Sequence, residues 1–336
     1  MKRILISYCG KYNEAIGPVR SMNVIFDLLC GEHICTKSDN LVSPKIAASS
    51  AVKNLRGNLF IDTLKNQTRK YLSPLIDVFY VLKFNLSIAL NMWSHDVVII
   101  TNPFVIIPIW IFNKKLIYTR RANIADRELI ANSATKRVFE RIFYRVQKYE
   151  VVFLVPQSDD SCVIPNSFDV AAINPRNYSS VKDVFFAGTW SMRKGSQHME
   201  YLLKKGVVGK ITAFGVIAQV IPEGVVHKGI VECPSRFYRP GDIYLSFSAL
   251  EGLQRSVIEA LISGCFVICL ERPDSIFLND SPLVFVVDNI DSVDSCFQII
   301  NLISADQYSQ MYSENYDFLV NNFSHETVRS KWLELI

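Results

Sequence analysis

Short apolar runs alternate with amphipathic stretches along almost the whole chain. Residues 3–8 form a β-rich run ending at Cys9-Gly10, and a polar loop with Gly17-Pro18 follows. Residues 21–29 then carry Met22, Ile25, Phe26 and Leu29 at helical spacing. Residues 96–101, 115–119 and 151–155 are continuous apolar runs, the pattern of strands buried on both faces of a parallel sheet. Residues 59–64 and 72–93 read as helical or mixed, and 126–148 as a long charged helix. The second half repeats the alternation, with strands over 184–187, 210–214, 225–229, 242–246, 266–270 and 284–287. Helices are expected over 195–204, 254–263, 291–303, 305–321 and 326–335, and a helical turn over 234–238. Gly264 suits the C-cap of the 254–263 helix.

Two such series within 336 residues predict an α/β protein of two doubly wound sheets. Ligands are then expected at strand carboxyl ends and in the cleft between domains. The Pro- and Asn-bearing stretch 163–169 reads as a connector, and the polar stretch 174–182 holds Pro175. The expected domains are 1–172 and 173–336, with the last helix free to pack back on the first domain.

Composition narrows the classes. A 49% hydrophobic share excludes a disordered chain, and 14 Gly with 13 Pro exclude a collagen-like one. A net charge of +4 admits an anionic ligand or an anionic membrane face, without the dense Lys/Arg stripes of a nucleic-acid binder. The eight Cys are scattered with no CxxC, and only five His are present. That speaks against zinc and for reduced thiols in the cytoplasm. The opening Met-Lys-Arg-Ile-Leu-Ile-Ser-Tyr reads as a first strand, not a signal peptide. The apolar run 103–112 is half the ~20 residues of a membrane span, and 72–93 is interrupted by Asp77 and Lys83. Both read as buried helix or as a membrane-surface element, since Lys65, Arg69, Lys70, Lys114 and Lys115 flank them.

Candidate chemistry concentrates in 248–268. A strand feeds a loop holding Glu251-Gly252, and a helix begins near Gln254 or Arg255. Its first N–H groups lack intrahelical partners and suit a phosphate or a sugar hydroxyl. Gly252 leaves room for a ligand to approach the backbone. Glu251 and Glu259, eight positions apart, can face one crevice, where a carboxylate accepts both hydroxyls of a ribose. Taken alone, two Glu at a helix start serve equally as dipole partners. No Ser/His/Asp or Cys/His arrangement asks for a nucleophile.

Glu251-Gly-Leu, Glu259-Ala-Leu and Gly264-Cys-Phe-Val267 together resemble the Glu–seven residues–Glu motif of retaining glycosyltransferases of the GT-B fold, family 4. Phe266 stands where that family usually has Pro. Further motifs follow in the family's order: Val163-Ile-Pro-Asn-Ser-Phe-Asp169, Phe185-Phe-Ala-Gly-Thr-Trp-Ser-Met-Arg-Lys-Gly195, Ala213-Phe-Gly215 and Phe323-Ser-His-Glu326. The resemblance runs from 163 to the end, while the N-terminal half matches only in its alternation.

The resemblance implies a GT-B architecture of two Rossmann-like domains facing a central cleft. The N-terminal one would bind acceptor and the C-terminal one the nucleotide sugar. Glu259 would accept the ribose hydroxyls, Glu251 would hold the donor sugar, and the backbone N–H groups of Leu253 and Gln254 would cap sugar or diphosphate. Lys194 would neutralise the leaving diphosphate, and Gly188 would end the first strand of the donor domain. The family's Arg after that Gly is Thr189 here, so Arg193 or Arg255 stands as the substitute cation. On the acceptor side, Gly17 opens a helix, and Arg120-Arg121 follow a strand where they can pair with a phosphate or remain surface charge.

The implied activity is a metal-independent, retaining hexosyl transfer from UDP- or GDP-sugar, with no cofactor. The acceptor would be a glycan or lipid-linked oligosaccharide in bacterial O-antigen or capsule assembly. The implied place is cytoplasmic, with peripheral contact at the inner membrane and no nucleic acid. The alternatives are a GT-B binding or scaffold protein without turnover, supported by Thr189, and a sugar-nucleotide epimerase of related fold.

Overall fold

The computed structural model of the chain describes residues 1–7, 17–38, 78, 81–101, 104–120, 134–156, 161–171, 178, 182–249 and 251–336. They form two compact units, Met1–Phe153 with Trp332–Ile336, and Leu154–Lys331. The division falls after Phe153 instead of at 172/173, because Leu154, Val155 and Phe168 are buried in the core of the second unit. The chain end is counted with the first unit, where the Lys2 and Lys115 ammonium groups donate to the carbonyls of Ile336 and Leu335.

The first unit holds β1 (Arg3–Ser7), β2 (Ile34–Ser38), β3 (Val97–Ile100), β4 (Lys115–Arg120) and β5 (Glu150–Phe153). They run in the order β2-β1-β3-β4-β5, every neighbouring pair parallel. β2 was not expected: among the described residues Ile-Cys-Thr-Lys-Ser is the edge strand, and its half-polar sequence lacks the continuous apolar run of a central one. The helices Gly17–Leu29, 81–92 and Ala134–Val146 flank the sheet sequence. The core gathers Phe84, Ile88, Val98, Ile100, Ile109 and Phe143. The expected element at 59–64, and the parts of those expected at 72–93 and 126–148 that fall in 72–77, 79–80 and 126–133, lie outside the described residues.

After a two-residue strand, β6 (Cys162–Val163), the second unit supplies β7 (Val184–Ala187), β8 (Ile211–Phe214), β9 (Val225–His227), β10 (Ile243–Ser246), β11 (Phe266–Leu270) and β12 (Val284–Val287). Their order is β12-β11-β10-β7-β8-β9, all neighbours parallel. The winding direction therefore reverses between β7 and β10. In an open α/β sheet the crevice for a ligand lies at the strand carboxyl ends beside such a reversal. Phe186, Trp190, Tyr244, Phe247, Phe266 and Tyr308 are almost fully buried around this point, each side chain contributing roughly 1.5–3 kcal/mol. The short helix Pro273–Leu278 was not expected, since six residues are too few to show a helical period. Cys265, Cys269 and Cys296 are buried free thiols, and burial pushes Cys269 up to about 12.

Candidate functional site

The chain leaving β7 turns through Gly188 and a short 3-10 turn, Met192–Lys194, into the helix Ser196–Lys204. Gly188 donates its N–H to Phe214 O at 2.9 Å. Gly195 joins the turn to the helix at φ 84°, a left-handed conformation that suits glycine. A Cβ on Gly195 would lie 2.6 Å from Phe247 Cβ and 2.7 Å from the Phe247 carbonyl carbon. Ala249 N donates to Arg193 O at 2.9 Å. The exits of β7 and β10 are thus stitched together, and Lys194 is carried to the β10 loop. Gly195→Ala is expected to lower stability by roughly 2–4 kcal/mol, read as a fall in the urea midpoint. An unchanged midpoint would show that this close approach is not needed.

Lys194 Nζ forms an ion pair with Glu251 Oε1, the two side chains being 21% and 14% exposed. Neither charge is fully desolvated, and each is the other's counter-ion. The loop carrying Glu251 is braced by Arg272. Its Nη1 donates to Ser248 O at 2.6 Å and Ser246 O at 3.3 Å, and its Nη2 to Ser246 Oγ at 3.2 Å. The same guanidinium pairs bidentately with Asp274 at 3.0 and 3.2 Å. Asp274 is buried, and burial holds its carboxyl above the ordinary value against the opposing pull of Arg272.

The helix Arg255–Ile262 starts directly after this loop, with Gln254 as its N-cap. The Gln254 side chain turns inward: Oε1 accepts from Ser246 Oγ at 2.8 Å, and Nε2 donates to Ser256 Oγ at 3.0 Å. The buried Tyr244 hydroxyl donates to Ser256 Oγ at 2.7 Å. Burial pushes that phenol up, and the charges of Glu259 and Glu251 push it further. Arg255 lies over the Phe168 ring at 4.6 Å, and its Nη2 is 3.9 Å from Glu259 Oε1.

Glu251 and Lys194 are thus brought together, and Glu259 is partnered by Arg255 instead of by Lys194. Gly252 is half-buried beside Leu253, which is buried, and Gln254 presents only its backbone to the loop. Thr189 is half-buried and accepts from Ser191 Oγ at 3.4 Å through its carbonyl. Arg193 is exposed. The acceptor-side candidates belong to the first unit. Gly17 opens the helix Gly17–Leu29, and Arg120 ends β4 with its guanidinium 6.0 Å from the Phe153 ring centre. Arg121 lies outside the described residues.

Sequence reasoning missed Arg272, Asp274 and Phe168. Arg272-Pro-Asp274 after an apolar strand carries no signal that separates it from an ordinary turn. Phe168 sits in a motif that was quoted, but its partner Arg255 is a through-space neighbour. The same end of that motif is tied to the last motif of the chain. Phe168 N donates to Phe323 O at 2.8 Å, and Ser167 Oγ and His325 Nδ1 are 2.9 Å apart.

The chain matches no protein-family model and no protein among the curated sequences. Solved structures do match. HepE of Anabaena, in complex with UDP-glucose, is similar over 100% of this chain and 99% of its own, with TM-score 0.64 and 14% identity. WaaG, a glycosyltransferase involved in lipopolysaccharide biosynthesis, is similar over 99% of both chains, with TM-score 0.60 and 8% identity. The fold is GT-B. TarM is similar over 71% of this chain at TM-score 0.53 and 17% identity, and the match spans about half, 54%, of TarM's own length. These GT-B neighbours are glycosyltransferases, and at such identities the likeness is one of fold.

Proposed function

We propose that this protein is a retaining glycosyltransferase of the family 4 type, moving a hexosyl group from a UDP- or GDP-sugar without a metal. The observation that carries the reading is the Lys194–Glu251 pair, held where the winding of the second sheet reverses between β7 and β10. Departure of a nucleoside diphosphate builds negative charge. A cation fixed beside it, in a partly dehydrated site, stabilises that charge as it develops. Lys194 is such a cation, with Glu251 holding its ammonium before the donor arrives and accepting from the donor sugar afterwards. Arg255, seated on Phe168, supplies the second positive charge that Thr189 does not. The backbone N–H groups at the start of the helix Arg255–Ile262 remain for the diphosphate or the sugar, since the Gln254 side chain is turned inward.

The acceptor we propose is a glycan or a lipid-linked oligosaccharide in the assembly of a bacterial surface polysaccharide, bound through the first unit at the cytoplasmic face of the inner membrane. The structural neighbours support this class: HepE was solved with UDP-glucose, and WaaG acts in lipopolysaccharide biosynthesis. A binding protein without turnover is the second reading, favoured by Thr189 and by the exposed position of Arg193.

The deciding experiment titrates UDP, GDP and their sugars calorimetrically and follows transfer by NMR of the product anomer. Binding with transfer and retained configuration is expected. Binding without turnover across a donor and acceptor panel establishes the second reading. Glu259→Ala should weaken nucleotide binding by roughly 10- to 100-fold, the loss of charge-assisted hydrogen bonds to a diol. Wild-type affinity in that variant would remove Glu259 from the site.

A further inference from the structure

The first unit carries an apolar face that its own core does not use. Helix 81–92 buries Val81, Phe84, Ile88 and Met92. Its next stripe, at the helical spacing 82, 86, 90 and 93, is Leu82, Leu86, Leu90 and Trp93. Trp93 stands edge-on against Phe112 at 4.9 Å, which joins the stripe to the turn Ile109–Phe112. There Trp110 and Ile111 also face solvent, and all six of these apolar side chains are 40% to 70% exposed. Apolar surface of this continuity on a folded unit marks an interaction site.

The charges around it choose the partner. Residues 81–95 and 104–114 contain Lys83 and Lys114 and no Asp or Glu; Lys115, which follows, is paired with Glu150 at 3.0 Å. Lys148 lies over the Trp110 ring at 4.8 Å, and Trp110 Nε1 donates to Val146 O at 2.8 Å. Arg141 and Arg145 are exposed on the helix Ala134–Val146 that ends there. The nearby Asp96 carboxylate accepts from the Arg3 N–H at 2.9 Å. A two-fold contact with a second copy would set these cations against each other. An anionic bilayer instead supplies phosphates to the cations and an apolar boundary to the leucines. Tryptophan rings suit the level between the two. Among the described residues no helix is long and apolar enough to cross a membrane, so the geometry is that of an element lying on the surface.

We propose that the face built from helix 81–92 and the turn Ile109–Phe112 docks on an anionic phospholipid bilayer. It gives the membrane contact of the proposed function a defined surface, independent of the donor site in the second unit.

The test is flotation of the full chain with phosphatidylglycerol–phosphatidylcholine vesicles and with phosphatidylcholine vesicles alone. Tryptophan emission is read in parallel. Binding to the anionic vesicles, a blue shift of emission and weakening by salt are expected. Leu86→Glu with Leu90→Glu should reduce vesicle partitioning about tenfold or more, and so should Arg145→Glu with Lys148→Glu. The second pair alters exposed charges only, and so tests the surface even where the first pair disturbs folding. Donor binding in lipid-free solution should be unchanged in Arg145→Glu with Lys148→Glu, so that failure of the donor-site reading and failure of this one are told apart. Equal binding to both vesicle types would overturn the proposal, as would wild-type binding by the charge variant. Absence of vesicle binding together with a concentration-dependent dimer would assign the face to a second copy and overturn it equally.

Discussion

Lys194→Ala is expected to lower kcat by roughly 100- to 1000-fold, the usual loss when one fixed electrostatic donor to a developing charge is removed. The affinity for nucleotide should change by less than about tenfold, because the ground-state diphosphate keeps the helix N-terminus and Arg255. The ammonium is paired with Glu251 in the free protein, so the substitution also leaves Glu251 without its counter-ion in a site where its side chain is 14% exposed. That second effect is separated by Glu251→Gln in the Lys194→Ala background. The double variant should recover stability and not turnover. Lys194→Arg should recover part of the turnover, since it keeps the charge while changing its reach. Steady-state kinetics with calorimetric binding checks this, and a kcat within twofold of wild type would remove Lys194 from the chemistry.

Arg272→Ala is expected to cost roughly 3–5 kcal/mol of folding stability, the range for removing one partner of a buried ion pair. Asp274 is 1% exposed and would lose its two contacts to the guanidinium. The β10 exit would lose its brace at Ser246 and Ser248, so turnover should fall even at temperatures where the variant is folded. The pH dependence has a definite sign. Burial already raises Asp274 above the ordinary carboxylate value of 3.8, and Arg272 opposes the rise. Without Arg272 the folded-state value climbs further, so the native variant prefers the neutral acid. A raised carboxyl favours folding below its ordinary value, and that contribution is lost as pH rises through the folded value. The stability gap between variant and wild type should therefore be smallest near pH 4 and widen towards pH 8. Urea unfolding at several pH values reads it, and a gap that narrows with rising pH would contradict the account.

Much of the second unit was legible residue by residue. The runs at 184–187, 266–270 and 284–287 are continuous and apolar because both faces of those strands are covered, and they appear as β7, β11 and β12. Gly195 was read as part of a Lys-Gly signature, and its φ of 84° with Phe247 close by supplies the reason for glycine. β2 was not legible, since an edge strand half open to water needs no apolar run. The 172/173 boundary followed a loop composition, whereas burial of Leu154 and Val155 in the second core moves the division to 153/154. Glu251 and Glu259 read from the sequence as able to face one crevice; in the structure Glu251 meets Lys194, and Glu259 meets Arg255, one helical turn back.

The sequence by itself determined two parallel α/β sheets and which residues stand at the ends of their strands. Those features are local: a strand buried on both faces must be apolar along its length, and a sharp turn needs its glycine. Only the tertiary structure decided that Lys194 meets Glu251 across 57 positions, that Arg272 braces the same loop from β11's exit, and that Arg255 rests on Phe168. These meetings depend on β10 lying between β7 and β11, and strand order is set by how the helices cross over, which no local pattern of residues records.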